Sequence, residues 1–256
     1  MQFFRQTGWM IVRQLRNLSR EPIWIAMMVI QPLIWLLLYG QLFSRVPTLR
    51  GGAGSYVAFL APGIICMNAF FGGSWSGMAM ITDLDRHVVD RFLAAPASRV
   101  AIILSQVVRA GITAVVQALI LLLLGLALGA RIHGGALGWL VVFGAAALLA
   151  MTFSGFSHGI ALTVRREASM IAAANFVGLP LMFLSAILIP QRQMPNWIQQ
   201  ISRFNPVNWG VNAARNAIQA GGHWGASGLY LLFLLAACAA TSLFATWCFR
   251  SYQRSI

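Results

Sequence analysis

The chain has 256 residues, of which 59% are hydrophobic and only 9% charged. Soluble domains are about half apolar and about a quarter charged, so this composition excludes a soluble globular protein. Eighteen basic residues, all arginine, face five acidic ones and give a formal charge of +13. Because no polar domain could present a basic face, anionic lipid and membrane orientation explain this charge better than nucleic acid does. We therefore expect contact with membrane lipid and no nucleic-acid partner.

Six charge-free apolar stretches are long enough to cross a membrane, at about 20 residues per crossing. One ionised side chain at mid-bilayer costs about 2.5 to 3.5 kcal/mol on insertion scales, so charge-free intervals mark the spans. The predicted spans cover about residues 23–43, 56–81, 108–129, 137–163, 170–190 and 228–249. The sequence thus predicts an all-α membrane protein with six transmembrane helices, forming a single domain over residues 1–256.

The arginines orient these spans, because six crossings leave both termini on one side. With the N-terminus inside, twelve arginines lie in the cytoplasm and six outside. The positive-inside rule therefore predicts that both termini are cytoplasmic. We expect no cleavable signal peptide, since the first apolar run begins only after about 20 residues and is long enough to span.

Residues 3–20 precede the first span and carry four arginines. At about 100° per residue, the apolar residues fall on one side of a helix and the arginines on the other. The apolar side comprises Phe4, Gly8, Ile11, Leu15 and Leu18, and the basic side comprises Arg5, Arg13, Arg16 and Arg20. This pattern predicts an interfacial amphipathic helix on the inner leaflet. The alternative is that these arginines serve only as topology signals.

The inner loop 82–99 contains three of the five acidic residues, interleaved with arginines. Anionic lipid would repel such a loop, whereas paired charges suit a protein partner. Val88, Val89, Phe92 and Leu93 recur at helical spacing and would anchor that partner, and Pro96 then ends the helix. The alternative is a solvated hairpin that only links two spans.

The outer connection 190–227 is too long for a plain turn in a compact bundle. Its apolar residues recur at spacings of three to four on both sides of Asn205-Pro206, so we predict two short helices. The first face comprises Trp197, Ile198, Ile201 and Phe204, and the second comprises Val207, Val211, Ala214 and Ile218. Periodicity leaves open whether these helices re-enter the bilayer or lie on its surface.

The sequence lacks the residues that ion-coupled transport, ATP hydrolysis and serine hydrolase catalysis need. Every carboxylate lies outside the predicted spans, which disfavours coupling to protons or sodium. Lysine is absent, so there is no conventional phosphate-binding loop and no ATPase site of its own. Ser157 and His158 are adjacent and point about 100° apart on a helix, so they cannot form a nucleophile and base pair. We expect no catalytic residues and no metal site, and we interpret His158 as a packing residue.

Three short motifs carry a resemblance that extends over essentially the whole chain. They are Asp90-Arg-Phe-Leu-Ala-Ala-Pro-Ala-Ser-Arg99, Phe204-Asn-Pro-Val-Asn-Trp209 and Ala213-Ala-Arg-Asn216. Together with the amphipathic helix, the six spans and the long outer segment, they resemble the ABC-2 type membrane subunits of ATP-binding-cassette exporters. The resemblance is greatest to the daunorubicin-permease-like drug and antibiotic exporters.

The resemblance implies partners and a coupling site. A permease of this kind pairs with a second copy or a sister permease and with two ATPase subunits, which bind the ATP and magnesium, so this chain would bind no cofactor. The loop after the second span would form a coupling helix docked in the ATPase, with the N-terminal helix beside it. These roles fall by resemblance on Asp83, Asp85, Arg86, Asp90, Arg91 and Phe92, and more weakly on Arg13, Arg16 and Glu21.

The resemblance also implies a substrate route, because spans two and five face the dimer axis in the family. Asn68, Phe71 and Trp75 share one face of the second span, and Asn175 and Met182 share one face of the fifth. The alternative is that these side chains only hold helices together.

The expected function is that of an exporter permease in a bacterial inner membrane. It would move a hydrophobic or amphipathic compound, such as a drug, an antibiotic or a lipid, out of the cell with power from the separate ATPase. Two alternatives remain at this stage: a secondary transporter or channel driven by an ion gradient, and a membrane-embedded enzyme acting on lipid.

Overall fold

The computed structural model describes residues 22–51, 53, 55–85, 99–130, 133–218 and 223–254. Within these ranges the chain forms nine α-helices, two short 3₁₀ turns (Pro47–Arg50 and Gln191–Gln193) and no strand. The helices are α1 Pro22–Leu42, α2 Tyr56–Trp75, α3 Gly77–Asp85, α4 Arg99–Ala127, α5 Gly135–Val164, α6 Glu167–Phe183, α7 Asn196–Ser202, α8 Pro206–Ile218 and α9 Trp224–Arg254. The predicted all-helical class is confirmed.

Four helical stretches in the described part of the chain are long and apolar enough to cross a membrane. They are residues 56–84, 102–127, 135–164 and 224–251. Shorter apolar helical stretches lie at the first and fifth predicted positions, over 29–42 and 167–183. The structure therefore supports a multi-pass helical membrane protein, with four of the six predicted spans meeting the length criterion.

The structural boundaries differ from the predicted ones for identifiable reasons. α4 begins at Arg99, nine residues before the predicted third span. The prediction started later because Arg109, which lies within this helix, bounds the charge-free interval on its N-terminal side. By contrast, α2 begins at Tyr56, as predicted for the second span, and there the Ser55 hydroxyl accepts the Ala58 N–H at 3.2 Å and caps the helix. The fifth segment is helical only as far as Phe183, seven residues short of the predicted end.

The long helices alternate in direction. We call the connector end the end at which α1, α4 and α6 finish and α2, α5 and α9 begin. Tyr56 Oη donates to Leu188 O at 3.0 Å there, and His133 N–H donates to Ile218 O at 3.1 Å. α1 therefore starts and α9 finishes at the opposite end, as expected if both termini share one side of the membrane.

The core lies around α5, which packs against α2, α3, α4, α8 and α9. Its inward positions are small or branched and fully buried: Val142, Ala145, Ala146 and Leu149. Phe153 of α5 meets Phe70 of α2 edge to face, with ring centres 4.5 Å apart. In a membrane such small side chains let neighbouring helix backbones approach closely. α5 is thus the central helix of the bundle, and the helices around it are positioned by their packing against it.

Candidate functional site

The segment that follows α6 is not helical, although its middle is buried. In residues 184–190, which we call the unwound segment, Ser185, Ala186 and Ile187 are all buried. Buried backbone outside a helix must find hydrogen-bond partners elsewhere in the protein. Side chains from α2 and from the α7–α8 region provide them.

Arg215 of α8 provides three donors. Its Nε donates to Phe59 O at 3.2 Å, its Nη2 donates to Ile187 O at 2.8 Å, and its Nη1 donates to Ala186 O. The guanidinium carbon lies 3.7 Å from the centre of the Phe59 ring. Arg215 is only 6% exposed, and among the described residues carbonyl dipoles and an aromatic face balance its permanent charge.

Asn205 caps two elements at once. Its Nδ2 donates to Leu181 O at 2.7 Å and to Leu184 O at 3.1 Å, at the end of α6. Its Oδ1 accepts the Val207 N–H at 2.9 Å, at the start of α8. One side chain therefore ends α6 and begins α8.

Asn208 and Tyr56 complete the set of partners. Asn208 Oδ1 accepts the Ala186 N–H at 3.1 Å, and its Nδ2 donates to Ser202 O at 3.0 Å. Tyr56 donates to Leu188 O, as described above. The two motifs at 204–209 and 213–216 thus share one physical task, which is to hold the unwound segment against α2.

α8 itself is buried along the face predicted from its spacing. Val207, Val211 and Ala214 are fully buried. By contrast, Trp197 and Ile201 of α7 are 60% and 47% exposed, and Phe204, just after this helix, is 81% exposed. The described chain therefore seats α8 in the bundle and leaves α7 on its surface.

The second predicted span is interrupted at Ser76, between α2 and α3. Ser157 of α5 bridges the interruption: its Oγ donates to Ser74 O at 2.6 Å and accepts the Gly77 N–H at 3.0 Å. Ser76 Oγ donates to Ser154 Oγ at 2.9 Å. The Ser157 hydroxyl thus satisfies two backbone groups beside the break.

Two glycines bring this junction into backbone contact with α5. A Cβ added at Gly77 would lie 2.5 Å from Ser157 Oγ, and one added at Gly73 would collide with the Ala150 carbonyl. Their spacing is the small-x-x-x-small pattern of closely packed membrane helices. Because α3 leads directly toward the 82–99 loop, this contact ties the start of that loop to the central helix.

The predicted coupling residues lie mostly beyond what the structure describes. The Asp83 side chain is described and is half-buried on α3, and Asp85 is the last residue of that helix. Outside the described residues lie Arg86, Asp90, Arg91 and Phe92, together with Arg13, Arg16 and Glu21 at and before the start of α1. Their coupling role stays a prediction.

The polar residue predicted on the second span holds two helices together. Asn68 Nδ2 donates to Gln117 Oε1 of α4 at 3.0 Å. On the same helix Phe71 is half-buried and Trp75 is 37% exposed. Gln117 was not among the residues predicted from the sequence, although a polar residue inside an apolar span indicates a contact between helices.

α6 presents the two fifth-span candidates in different surroundings. Asn175 is exposed, while Met182 is buried in the core. Phe176 and Phe183 are 83% and 66% exposed, so one face of α6 is bare in the single chain. The substrate-route assignments stay predictions, and within one chain Asn68 turns to α4 while Asn175 faces away from the bundle.

The polar side chains of the Ser-Gly-Phe-Ser-His sequence at 154–158 make contacts inside the bundle. His158 Nδ1 lies 2.7 Å from Ser154 O and 3.4 Å from Ser154 Oγ, and both side chains are fully buried. Ser157 is engaged at the α2–α3 junction. This arrangement gives no accessible nucleophile.

Comparison with known proteins identifies the family. Residues 5–219 match the family described as ABC-2 type transporter. The putative transport permease ycf38 of Cyanophora paradoxa is 32% identical over 216 residues, covering 83% of this chain and 74% of that protein. The corresponding protein of Pyropia yezoensis is 30% identical over 80% of this chain and 71% of that protein.

A third relative has a name that refers to drug resistance. The daunorubicin resistance ABC transporter permease protein DrrB1 of Streptomyces coeruleorubidus is 28% identical over 247 residues, covering 94% of this chain and 83% of that protein. The family match and these relatives span both the α2–α3 junction and the unwound segment. This chain belongs to the ABC-2 type transporter family of membrane permeases.

Proposed function

We propose that this chain is the permease half of an ATP-driven exporter in a bacterial inner membrane, with six spans and both termini in the cytoplasm. The cargo is a hydrophobic or amphipathic compound of the drug, antibiotic or lipid class. Two ATPase subunits, which bind the ATP and magnesium, and a second permease copy complete the transporter. The observation that carries this proposal is the family match over residues 5–219, with a drug-resistance permease aligned to nearly the whole chain.

The helix directions suggest how closure of the ATPase subunits is coupled to the permease. α3 continues the second span to Asp85, which lies at the end opposite to the connector end, and the chain enters the proposed docking residues from there. Closure of the ATPases on ATP must favour one arrangement of the helices over another, and the docked segment transmits that preference. A shift from 1:99 to 99:1 needs a bias of about 5.5 kcal/mol, so the segment has to be held firmly.

The junction at Ser76 supports this role of α3. Ser157 and Gly77 join α3 to the central helix α5 by a hydrogen bond and by backbone contact. If α3 is displaced, α5 therefore has to move with it, because the junction between them is tightly packed. In this proposal α3 transmits motion from the ATPase into the bundle.

The test is a charge reversal in the 82–99 segment. We expect the double variant Asp90→Arg, Arg91→Glu to abolish cargo-stimulated ATP hydrolysis and to weaken co-purification of the ATPase, because the charges that set the docking register are reversed. The control is Arg192→Glu, an exposed position at the connector end, which should leave both unchanged. Unaltered coupling in the double variant, with normal membrane insertion, would contradict the docking role.

A further inference from the structure

A cavity of about 270 Å³ lies at the connector end, between the start of α8 and the first turns of α9. We call it the Arg203 cavity. Arg203, Trp209 and Asn212 line one side, and Tyr230 and Phe233 of α9 line the other. Trp209 Nε1 donates to Arg203 O at 2.6 Å, and the rings of Trp209 and Phe233 lie 5.5 Å apart. The aromatic wall thereby fixes the backbone that carries the arginine.

The charge of Arg203 has no internal partner in the described part of the chain. Its guanidinium group makes no hydrogen bond or ion pair with any described residue, and the sequence contains no acidic residue after Glu167. The connection around Arg203 therefore cannot supply a counter-charge. Arg203 is exposed, so its guanidinium group is open to an anion from outside the chain.

Two further polar residues line the same space. Asn212 and Tyr230 are half-buried, and neither side chain is hydrogen-bonded to a described residue. A guanidinium group, an amide and a phenol are donors that together suit the oxygens of a phosphate group.

The size of the cavity and its aromatic lining point to a lipid headgroup. Sites that enclose a whole drug-sized ligand measure about 300–1,000 Å³, so a cavity just below this range suits the polar part of an amphiphile. Leu229, Leu232 and Leu235 of α9 are exposed and offer an apolar surface on which acyl chains can lie. Trp209 and Tyr230 are residue types that concentrate at the level of the headgroups.

We propose that the Arg203 cavity binds the phosphate group of an anionic phospholipid, with the acyl chains lying along α9. The site goes beyond the proposed function and requires only that α9 spans a bilayer. It is built from one chain, and none of the predicted substrate-route residues lines it.

The test is native mass spectrometry of the full chain, titrated with phosphatidylglycerol or phosphatidylcholine of identical acyl chains. The wild type should bind phosphatidylglycerol about tenfold more tightly, as expected for one charge-assisted contact. Arg203→Gln should remove most of this preference, while the matched control Arg192→Gln, exposed but outside the cavity, should retain it. Ala226→Phe, which fills the cavity from the exposed side of α9, should also remove it.

Three results would overturn the proposal. The first is equal affinity of the wild type for both lipids, and the second is an equal loss in Arg192→Gln and Arg203→Gln. The third is displacement of the lipid by millimolar glycerol phosphate, which would make a soluble phosphate ester the ligand. ATP-driven transport by the wild type is measured separately, so failure of the lipid site and failure of the exporter function are distinguishable.

Discussion

Two of the predicted spans of this permease are not continuous helices, and the freed backbone groups are hydrogen-bonded differently at the two breaks. At the α2–α3 junction the break is one residue, Ser76. The Ser157 hydroxyl bonds the two freed backbone groups, and the Ser154 hydroxyl accepts from the Ser76 side chain. At the unwound segment the break extends over seven residues, and a buried guanidinium group and two asparagine amides hold it.

The difference follows from the number of backbone groups released. A one-residue break frees few groups, so neutral donors and acceptors from a neighbouring helix suffice, and the helix runs on in nearly the same path. A seven-residue break frees many carbonyls, and a charged donor with five N–H groups can serve several of them. The first region is suited to transmitting motion, and the second to anchoring the connector end.

The largest effect is expected at the anchor. Arg215→Ala removes three charge-assisted hydrogen bonds and leaves buried carbonyls unpaired, so we predict a loss of about 3 kcal/mol or more. For a chain of this size this corresponds to a fall in melting temperature of about 6–12 °C, measured in detergent micelles. Arg215→Lys keeps the charge but lacks the planar fork, and should fall in between.

The control for the anchor is Arg192→Ala, because Arg192 is exposed. It should change stability by less than about 0.5 kcal/mol. Equal melting temperatures for Arg215→Ala and the wild type would show that the anchor contributes no stability, and the contrast between the two breaks would disappear.

The next effect is expected from the close approach at the α2–α3 junction. Gly77→Ala places a methyl group 2.5 Å from Ser157 Oγ, and such overpacking costs about 1–3 kcal/mol. We predict a matching fall in melting temperature and a loss of ATP-driven transport larger than the loss of stability explains. Gly225→Ala, where a Cβ meets nothing within 4 Å, is the matched control and should be neutral.

A smaller effect is expected from the hydroxyl bridge itself. Ser157→Ala removes the partners of Ser74 O and of the Gly77 N–H without changing the helix spacing. We predict a destabilisation of about 1–2 kcal/mol. If Ser157→Ala lowers the free energy of unfolding as much as Arg215→Ala does, a neutral hydroxyl stabilises its break as strongly as the guanidinium group stabilises the other. That result would contradict the difference between the two breaks.

The smallest effect is expected where a polar contact joins uninterrupted helices. The Asn68–Gln117 hydrogen bond leaves no helix backbone group orphaned when it is lost. A double-mutant cycle with Asn68→Ala and Gln117→Ala should give a coupling of about 0.6 kcal/mol, the average for such bonds in membranes. A coupling above about 2 kcal/mol would mean that helix breaks are not what makes a polar contact strong in this protein.

The sequence predicted the helices that depend on apolar length and local spacing. The buried face of α8 followed from Val207, Val211 and Ala214, and the start of α8 followed from Asn205-Pro206. These features are local, so composition and periodicity are sufficient to find them.

The two breaks were not predicted, because they depend on contacts distant in the chain. The segment after Phe183 is as apolar as a span, and only the three-dimensional position of Arg215 shows that its carbonyls are satisfied outside a helix. Arg215 was counted among the outer arginines, whereas it is buried. Ser157 was judged by its neighbour His158, while its actual partners are about 80 residues away.

The most direct measurement for the whole account is uphill accumulation of an amphipathic reporter in proteoliposomes. The account predicts accumulation only when the ATPase subunits and hydrolysable ATP are present, with none for the permease alone under a proton or sodium gradient. Accumulation against a gradient by the permease without any nucleotide-hydrolysing subunit would contradict it.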